Sequence, residues 1–345
     1  MRLPVVTVSV IVTVYNTAPY LERCLDSLLA QSLEDLEIIV IDDASTDGSR
    51  DIAERYAEID TRIHCIPLSE NTPGGTGIPS NIGIRQARGR YVGFTDGDDW
   101  VEPELFETLY RAAEENEADF SLCDFYTAPE GCEPIAAYDR HHWSGLALSA
   151  PIDLDEESRR ALLLLSPVPW RKLYRRNFLL SQQLFFPEGE FFFEDTPFHF
   201  FTVLAARRVI LIDKPLYYHR LFRTGQSMEG GGTKFLAFIA HFGFMADFIT
   251  SRGLWDQHGI DFIIMMLNNA YWVWDRLGRK ERKAFFLDCN RLLHAHPSEK
   301  KRRKRFLRRD QRIAFYIVYK NMIKVFSIYI TLRKKGVDVY KKIMG

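Results

Sequence analysis

Hydrophobic and polar positions along the first part of the chain follow the pattern of strands that alternate with helices. Residues 5–14 are apolar and rich in β-branched side chains on both faces, which is typical of a central parallel strand. A helix is predicted to begin at Pro19, because apolar residues recur after it at helical spacing. A strand at 37–41 and a second helix ending near Tyr56 follow, and we expect the Ser, Thr and Asp residues of 42–49 to cap that helix.

The alternation continues with a strand at 63–67, a glycine-rich loop at 71–77, a helix at 79–87 and a strand at 91–95. Together these elements predict an α/β fold with a doubly wound, mostly parallel sheet flanked by helices. Ligands of such sheets bind at the carboxyl ends of the strands. Both acidic turns of the chain, 42–43 and 96–99, follow a predicted strand directly, so we expect them to meet at that edge.

The pattern becomes mixed after Glu102. It predicts a charged helix to about 117, a strand at 118–125, an irregular stretch at 127–155 and an amphipathic helix near 156–165. Three glycines at 230–232 resemble a flexible joint, and helices are predicted beyond them. We therefore expect an α/β domain over residues 1–228 and a helical region over residues 233–345.

Charge divides the chain in nearly the same way, although the net charge is only −1. Residues 279–345 hold 21 Lys/Arg against 5 Asp/Glu, whereas residues 1–278 hold 24 against 41. The basic region includes the run 300–305 and continues into amphipathic segments. Three uses stay open for it: peripheral docking on an anionic membrane, packing against the first domain, or an oligomer contact. Nucleic acid is not an expected partner, because no recognition motif is present.

Cysteine content and hydropathy bear on the compartment. The five cysteines are an odd number without a CxxC motif or a Cys/His cluster, which indicates a reducing compartment and no zinc site. The first residues lead directly into the predicted strand, so we expect no signal peptide. No uninterrupted apolar stretch reaches about 18 residues, the length of a membrane span. The expected location is cytoplasmic, with any membrane contact peripheral and on the cytoplasmic face.

Three carboxylates crowd the turn that follows the strand at 91–95. Asp96, Asp98 and Asp99 lie within four positions, interrupted only by Gly97. Such groups repel one another unless a divalent cation or solvent lies between them. Oxygen ligands alone do not distinguish Mg²⁺ from Mn²⁺.

A second acidic pair follows three consecutive aromatic residues. Phe191, Phe192 and Phe193 precede Glu194 and Asp195. Adjacent carboxyl groups in an apolar setting have raised pKa values, which suits a base that works near neutral pH. The alternative is an ordinary helix N-terminus, with Pro197 at its first position.

Six blocks of sequence, taken in order, resemble the family-2 glycosyltransferases, which are inverting enzymes with the GT-A fold. The blocks are 8–16, 41–47, 81–84 with 89–92, 96–99, 170–174 and 194–195. The resemblance extends over about residues 5–228, and the C-terminal third matches nothing we can assign. It implies a GT-A-type sheet and transfer of a sugar from a nucleoside-diphosphate sugar, expected to be UDP-linked, to an acceptor hydroxyl. The acceptor would be a glycan or a lipid-linked glycan, in the synthesis of a surface polysaccharide or related polymer.

The resemblance also implies roles for individual residues. The nucleoside would be framed by Thr13, Tyr15, Asn16, Asp43 and Ser45. Among these Asp43 is the sharpest candidate, because a carboxylate accepts hydrogen bonds from uracil N3–H or from ribose. The alternative is that Asp42, Asp43 and Ser45 only cap the next helix.

The leaving diphosphate and the acceptor proton require other groups. Asp98 is the leading ligand for Mg²⁺ or Mn²⁺, with Asp96 on the ribose or on the metal, while Gly97 allows close approach of the backbone. Asp195 is the candidate base and Glu194 its neighbour. A closing loop that begins at Tyr217 would hold the diphosphate through Arg220, Arg223 and Ser227. The alternative for Arg220 is a structural pairing with the acidic pocket.

Two alternative functions stay open. A nucleotidyltransferase would need a glycine-rich loop bearing Arg or Lys after the first strand, and 14–19 is not one. A non-catalytic module that binds nucleotide sugars would not require the acidic residues at 96, 98, 194 and 195 to be intact.

Overall fold

The protein is described by a computed structural model over residues 6–221, 232–295 and 307–334. The chain divides into two compact units, Met1–Glu229 and Gly230–Gly345.

A ten-stranded sheet forms the centre of the first unit, with the main order β3-β2-β1-β4-β9-β6-β10-β5. Its strands are β1 (Val8–Val14), β2 (Leu36–Asp42), β3 (Ile63–Pro67), β4 (Tyr91–Asp96), β5 (Trp100–Val101), β6 (Phe120–Pro129), β7 (Ile135–Ala136), β8 (Pro151–Asp153), β9 (Lys172–Arg175) and β10 (Arg208–Leu221). Its helices are α1 (Ala18–Leu29), α2 (Ser49–Ile59), α3 (Gly77–Gln86), α4 (Leu105–Glu115), α5 (Glu156–Leu163), α6 (Arg176–Ser181) and α7 (Asp195–Ala205).

β1 is the central strand of the parallel half of the sheet. All seven of its residues are buried, and it pairs in parallel with β2 on one side and β4 on the other. The register places Thr13 beside both Ile41 and Asp96. The carboxyl ends of β2 and β4 therefore lie on either side of the end of β1, which brings the two acidic turns to one edge. The expected α/β fold with a mostly parallel sheet is confirmed.

The second half of the sheet is mixed. β9 inserts between β4 and β6 and runs antiparallel to both, while β10 is parallel to β6 and antiparallel to β5 and β8. The pairing of β10 shifts register around Pro215, which has no N–H to donate.

Two local expectations from the sequence are wrong. Residues 217–221, expected in a closing loop, form the end of β10, because Tyr217 and Tyr218 pair with β5. The polar cluster before α2 does not supply its N-cap side chain, because the cap is Gly48 at a φ of 93°, which favours glycine. Asp47 still accepts a hydrogen bond from the backbone N–H of Ser49 at 3.0 Å.

The second unit is helical in its described residues. Its elements are α8 (Ala237–Ser251), α9 (Trp255–Arg276), α10 (Arg279–Ala295) and a C-terminal hairpin of two helices, Arg309–Tyr319 and Ile323–Lys334. The hairpin is closed by Asp310, whose backbone oxygen accepts a hydrogen bond from the Tyr329 hydroxyl at 2.9 Å.

One stretch of the described chain, Thr233–Ser251, has the length and apolar composition of a membrane-crossing helix. A helix in a protein core meets the same criteria, and 39% of the apolar window is buried within the protein. This single stretch is therefore weak evidence for a span.

Candidate active site

Asp43, directly after β2, is held by the glycine-rich loop that precedes α3. Its carboxylate accepts hydrogen bonds from Thr72 N–H and Oγ1–H, both at 2.8 Å, and from Asn71 Nδ2 at 3.1 Å. Burial raises the pKa of Asp43, with a smaller contribution from Asp42, while the bonds from Thr72 act against that rise. A carboxylate offers about four lone pairs, so one acceptor position stays available to a ligand N–H.

The other residues predicted to frame the nucleoside lie at the ends of the same strands. Asn16 and Ser45 cross-link the two turns: Asn16 N–H donates to Ser45 Oγ at 3.0 Å, and Asn16 Oδ1 accepts from Thr46 N–H at 2.8 Å. Thr13 is buried in β1, whereas Tyr15 is 47% exposed. Asn16 is in the left-handed region at a φ of 51°, which Asn tolerates better than most residues. Asp43 and Asp96 lie two strands apart, or about 10 Å by ordinary strand spacing.

The turn after β4 brings together the three predicted carboxylates. Asp96, Asp98 and Asp99 each present an oxygen, and these atoms lie within 4.8 Å of one another. Burial raises the pKa of Asp96 well above its ordinary value, and Asp99, Asp98 and Asp195 raise it further. The candidate base Asp195 is thus close enough to Asp96 to influence its ionisation.

Asp99 serves as an anchor for β10. Its carboxylate accepts hydrogen bonds from the Tyr217 hydroxyl at 2.8 Å and from the Arg220 N–H at 2.7 Å, and it pairs with His219 Nδ1 at 3.2 Å. Burial lowers the pKa of His219, but the carboxylates of Asp99, Asp96 and Asp98 outweigh that effect and raise it to about 9. His219 is therefore a half-buried imidazole beside the acidic turn, and its raised pKa favours the charged form.

The side chain of Arg220 also contacts the acidic turn. Its Nε donates to the backbone oxygen of Asp98 at 2.7 Å, and its charge lies over the rings of Tyr20 and Trp100 at 4.5 and 4.9 Å. These contacts stabilise the turn. Arg223 and Ser227, the other predicted ligands of the diphosphate, lie outside the described residues.

Gly97 allows the acidic turn to pack against the end of β1. Its N–H donates to the backbone oxygen of Thr13 at 3.1 Å, and an added Cβ would lie 3.0 Å from Thr17 Oγ1. The close backbone approach expected at Gly97 is thus an approach to Thr13 of β1, within the protein itself.

Glu194 and Asp195 begin α7. Glu194 is the N-cap but makes no side-chain cap hydrogen bond, and Pro197 is the third residue of the helix rather than the first. Phe193, just before the pair, has a φ of 70°, a conformation that is unfavourable for an aromatic residue and changes the chain direction at this point. The N-terminus of α7 also favours negative charge.

The carboxylate of Asp195, the candidate base, is not fully hydrogen-bonded within the described residues. Its Oδ1 is buried and has no hydrogen-bond partner, although the residue as a whole is only partly buried. Burial raises its pKa, Glu194 adds to the rise, and Lys172 and His219 oppose it, with a result of about 8. A hydroxyl placed at this carboxylate would satisfy the buried oxygen.

Glu194 holds the far end of the glycine-rich loop. Its Oε1 accepts a hydrogen bond from Thr76 Oγ1 at 3.2 Å, and a Cβ added at Gly75 would collide with its carboxylate. Burial raises the pKa of Glu194, and backbone N–H groups including those of Gly77 and Thr76 oppose the rise. The loop expected to be a flexible wall is therefore fixed at one end by Asp43 and at the other by Glu194.

The chemistry of the acidic turn fits a divalent cation. Asp96 and Asp98 are the predicted ligands of this cluster, and both oxygens of Asp99 accept hydrogen bonds from β10. Hard oxygen ligands suit Mg²⁺ and Mn²⁺, and positive charge between these carboxylates would relieve their repulsion.

Several site residues escaped prediction from the sequence. Thr72, Thr76, His219 and Lys172 all contact or electrostatically influence predicted residues. His219 is adjacent to the predicted residue Arg220. That adjacency is the one feature of the sequence that could have indicated a role for His219. The partners of Thr72 and Thr76 are 29 and 118 residues away in the sequence, so no local pattern indicates them.

Comparisons with known proteins match the same part of the chain. The model of the family described as Glycosyl transferase family 2 matches residues 9–181, half of the chain. That span includes all but the first residue of β1, the strands β2 to β4 and the acidic turn, and it ends before Glu194. The uncharacterised glycosyltransferase EpsJ of Bacillus subtilis (strain 168) is 37% identical over 213 residues, which are 62% of this chain and 60% of EpsJ.

Solved structures extend the similarity of fold to nearly the whole chain. A crystal structure of Staphylococcus aureus TarS, residues 1–349 with UDP-GlcNAc, has a TM-score of 0.77 at 22% identity and covers 96% of this chain and 92% of that one. The mannosyltransferase PcManGT of Pyrobaculum calidifontis, solved with GDP-Man and Mn²⁺, has a TM-score of 0.51 at 16% identity and covers 94% and 86%.

TarS is also similar in sequence. The curated poly(ribitol-phosphate) β-N-acetylglucosaminyltransferase TarS of S. aureus (strain MW2) is 29% identical over 224 residues, which are 64% of this chain and 36% of TarS. The chain thus spans about 60% of the length of EpsJ and about a third of full-length TarS.

Proposed function

The chain belongs to glycosyl transferase family 2, and from that premise we propose that it transfers a sugar from a UDP-sugar to an acceptor hydroxyl with inversion. The observation that carries the proposal is the convergence of three acidic groups at one edge of the sheet. Asp43 offers an acceptor position for a nucleoside, Asp96 and Asp98 offer ligands for a cation, and Asp195 presents an unpartnered carboxylate oxygen.

Asp43 supports a uracil-containing donor. Its remaining lone pair suits uracil N3–H, and the exposed ring of Tyr15 offers an apolar surface for a base. The similar structure of S. aureus TarS was solved with UDP-GlcNAc, which agrees with a UDP-linked donor.

Asp96 and Asp98 would hold Mg²⁺ or Mn²⁺, which supplies positive charge to the departing diphosphate. The chain's own residues prepare that position: hydrogen bonds from the Arg220 backbone to Asp99 and from the Arg220 side chain to the Asp98 backbone hold the turn, and the half-buried His219 adds positive charge.

Inversion in one displacement requires one base, and Asp195 is that base in our proposal. Glu194 is committed to the loop at Thr76, so it positions the site and does not take the proton. The acceptor would be a growing glycan or surface polymer, as the name of TarS suggests for that relative.

A donor screen tests the proposal. The full chain is incubated with Mn²⁺ and each of UDP-Glc, UDP-GlcNAc, UDP-Gal and GDP-Man, and released nucleotide is measured with and without EDTA. We expect release from a UDP-sugar that is lost on chelation, with NMR of the product giving the inverted anomer. Release of pyrophosphate from a nucleoside triphosphate and sugar phosphate would instead support the nucleotidyltransferase alternative, and tight binding without turnover the non-catalytic one.

Peripheral contact with an anionic membrane is the second part of the proposal, and the C-terminal hairpin supports it. Residues 307–334 contain seven Lys/Arg and one acidic residue. Three large apolar side chains of this hairpin are exposed: Tyr316 (53%), Met322 (37%) and Ile328 (56%). Exposed apolar groups among basic ones suit an anionic lipid surface.

Vesicle sedimentation tests this contact. We expect the chain to bind vesicles that contain phosphatidylglycerol more strongly than phosphatidylcholine vesicles, and the triple change Tyr316→Ser, Met322→Ser, Ile328→Ser to weaken binding. Ile59→Ser is the matched control, because Ile59 is 73% exposed on α2. Equal binding to both lipids would contradict the proposal, and a change of oligomeric state in the triple variant would favour the oligomer contact.

A further inference from the structure

Two arginine side chains lie over the indole ring of Trp100, the residue that follows the acidic turn. The guanidinium carbon of Arg23, on α1, is 3.5 Å from the centre of the ring, and that of Arg220, on β10, is 4.9 Å from it. Each contact is attractive, because the face of an aromatic ring carries partial negative charge. The two guanidinium groups nevertheless repel each other, and an anion bound beside both of them would relieve that repulsion.

The ring that supports Arg23 is itself held in place by stacking. Trp100 stacks on Tyr218 with ring centres 5.0 Å apart and an interplanar angle of 9°. Tyr218 stacks in turn on Tyr126, with ring centres 5.1 Å apart. The guanidinium group of Arg23 therefore lies on a fixed surface, which lowers the entropy that it would lose on binding a ligand.

The acidic residues nearest to Arg23 in the sequence are engaged by other groups. Glu22 forms an ion pair with Arg55, and Asp26 accepts a hydrogen bond from the Tyr56 hydroxyl at 2.8 Å. In the part of the chain that the structure describes, the side chain of Arg23 forms no ion pair and donates no hydrogen bond, and it is exposed. Its N–H donors are therefore available to a ligand from solution.

Arg23 and Arg220 lie beside the turn proposed to hold the cation. Cys24, the residue after Arg23, places its Sγ 3.6 Å from the backbone oxygen of Asp96. Arg220 Nε donates to the backbone oxygen of Asp98 at 2.7 Å. An anion bound at Arg23 would thus lie near the acidic turn, but on groups other than the carboxylates proposed as metal ligands.

Two neighbouring guanidinium groups favour phosphate over other anions. A guanidinium group is a planar fork of N–H donors that matches two oxygens of a phosphate. A carboxylate has only two oxygens, which one such fork satisfies, whereas a phosphate has further oxygens to face a second cation. In this arrangement the exposed Arg23 supplies the donors, and Arg220, which is 9% exposed, adds positive charge.

We propose that Arg23, supported by Trp100 and adjacent to Arg220, binds a phosphate group carried by the acceptor, at a position separate from the diphosphate of the donor. This inference rests on the proposed function, in which the acceptor is a glycan or surface polymer, and it adds that the acceptor is anionic. The diphosphate of the donor has the same chemistry, so the test must distinguish the two sources.

The test measures binding of glycerol phosphate to the full chain by ligand-observed NMR, with and without saturating UDP and Mg²⁺. We expect wild type to bind it in both conditions, and Arg23→Gln to weaken this binding about 10-fold or more without changing the Kd for UDP. Arg111→Gln is the matched control, because Arg111 is an exposed arginine on α4 and its loss changes the net charge equally. Glycerol, which carries no phosphate, should not bind.

Equal affinities of Arg23→Gln and Arg111→Gln for glycerol phosphate would overturn the proposal. Weaker UDP binding in Arg23→Gln, with glycerol phosphate displaced by UDP in wild type, would assign Arg23 to the donor diphosphate instead. Weaker binding of that variant to phosphatidylglycerol vesicles would assign it to a lipid headgroup, and glucuronate that binds as tightly as glycerol phosphate would remove the preference for phosphate. Failure of the proposed function is distinct: a chain that binds no UDP contradicts that function, whereas glycerol phosphate binding without UDP still tests Arg23.

Discussion

The backbone N–H and the hydroxyl of Thr72 both donate to the carboxylate of Asp43, each at 2.8 Å. The two residues are 29 positions apart, and their contact fixes one end of the loop whose other end is held by Glu194. The same loop thus contacts the carboxylate proposed to bind the nucleoside and the neighbour of the proposed base.

Thr72→Val should weaken donor binding with little effect on kcat. The change removes one hydrogen bond to a charged group, and Asp43 loses part of its orientation. We expect the KM for the UDP-sugar to rise about 10-fold, which corresponds to about 1.4 kcal/mol at the low end for such a bond. Titration calorimetry with UDP measures the effect directly. Thr61→Val, at an exposed threonine, is the control, and an equal KM in the two variants would contradict the role of Thr72.

Asp98→Ala should mainly lower turnover, whereas Asp99→Ala should mainly lower the stability of the fold. Asp98 is a proposed ligand, so its loss should lower metal-dependent turnover about 10³-fold and leave the Tm nearly unchanged. Asp99 holds Tyr217, His219 and the backbone of Arg220, so its loss should destabilise the fold by about 3 kcal/mol. Thermal unfolding and turnover at a series of Mn²⁺ concentrations separate the two effects. If Asp98→Ala keeps its response to Mn²⁺, the ligand assignment is wrong.

Activity should rise with pH as Asp195 loses its proton. With a pKa of about 8 in the folded chain, kcat/KM should increase about 10-fold per pH unit below that value and level off above it. Asp195→Asn should lower turnover by about 10²–10⁴ and remove this slope, while UDP still binds. A variant that retains both activity and slope would refute the role of Asp195.

The raised pKa of Asp195 also makes stability depend on pH. Stability should fall as pH rises, whereas activity should increase. Between the unfolded value of about 3.9 and the folded value of about 8, the folded chain holds a proton that the unfolded chain has released. The contribution of Asp195 to stability is therefore fully present below pH 4 and is lost as pH rises toward 8. Urea unfolding should show a smaller decrease of stability with pH over this window in Asp195→Asn than in wild type. An identical slope in both proteins would contradict the shift.

Loss of Asp139, which forms a buried ion pair, should destabilise the first unit more than loss of Asp153, which forms an exposed one. Arg171 is fully buried and pairs with Asp139 at 2.6 Å, so Asp139→Ala leaves an uncompensated buried charge that costs about 3–5 kcal/mol. Asp153→Ala is the matched control, because its pair with Arg208 is largely exposed and its loss should change little. Urea midpoints for the two variants should differ clearly. Equal midpoints would indicate that the buried pair contributes no more than the exposed one.

The sequence by itself determined the parallel half of the sheet and the edge at which the site forms. β1 to β4 are read from local hydropathy, because a fully apolar run followed by an amphipathic helix has few alternative arrangements. An acidic residue after a strand does not by itself indicate a function. The resemblance to a known family was therefore needed to assign candidate roles to Asp43, Asp96, Asp98 and Asp195.

Only the tertiary structure decided what each carboxylate does. Asp99 is an anchor and not an obvious ligand because β10, more than 100 residues later, satisfies its oxygens. Glu194 differs from its neighbour Asp195 because Thr76 reaches it from a loop 118 residues earlier. Lys172 gains its position from β9, which inserts between β4 and β6 although nothing in its four residues indicates that place. Hydrogen bonds and electrostatic interactions depend on the distance between groups in space and not on their separation in sequence. The roles of these residues therefore depend on how distant elements pack together.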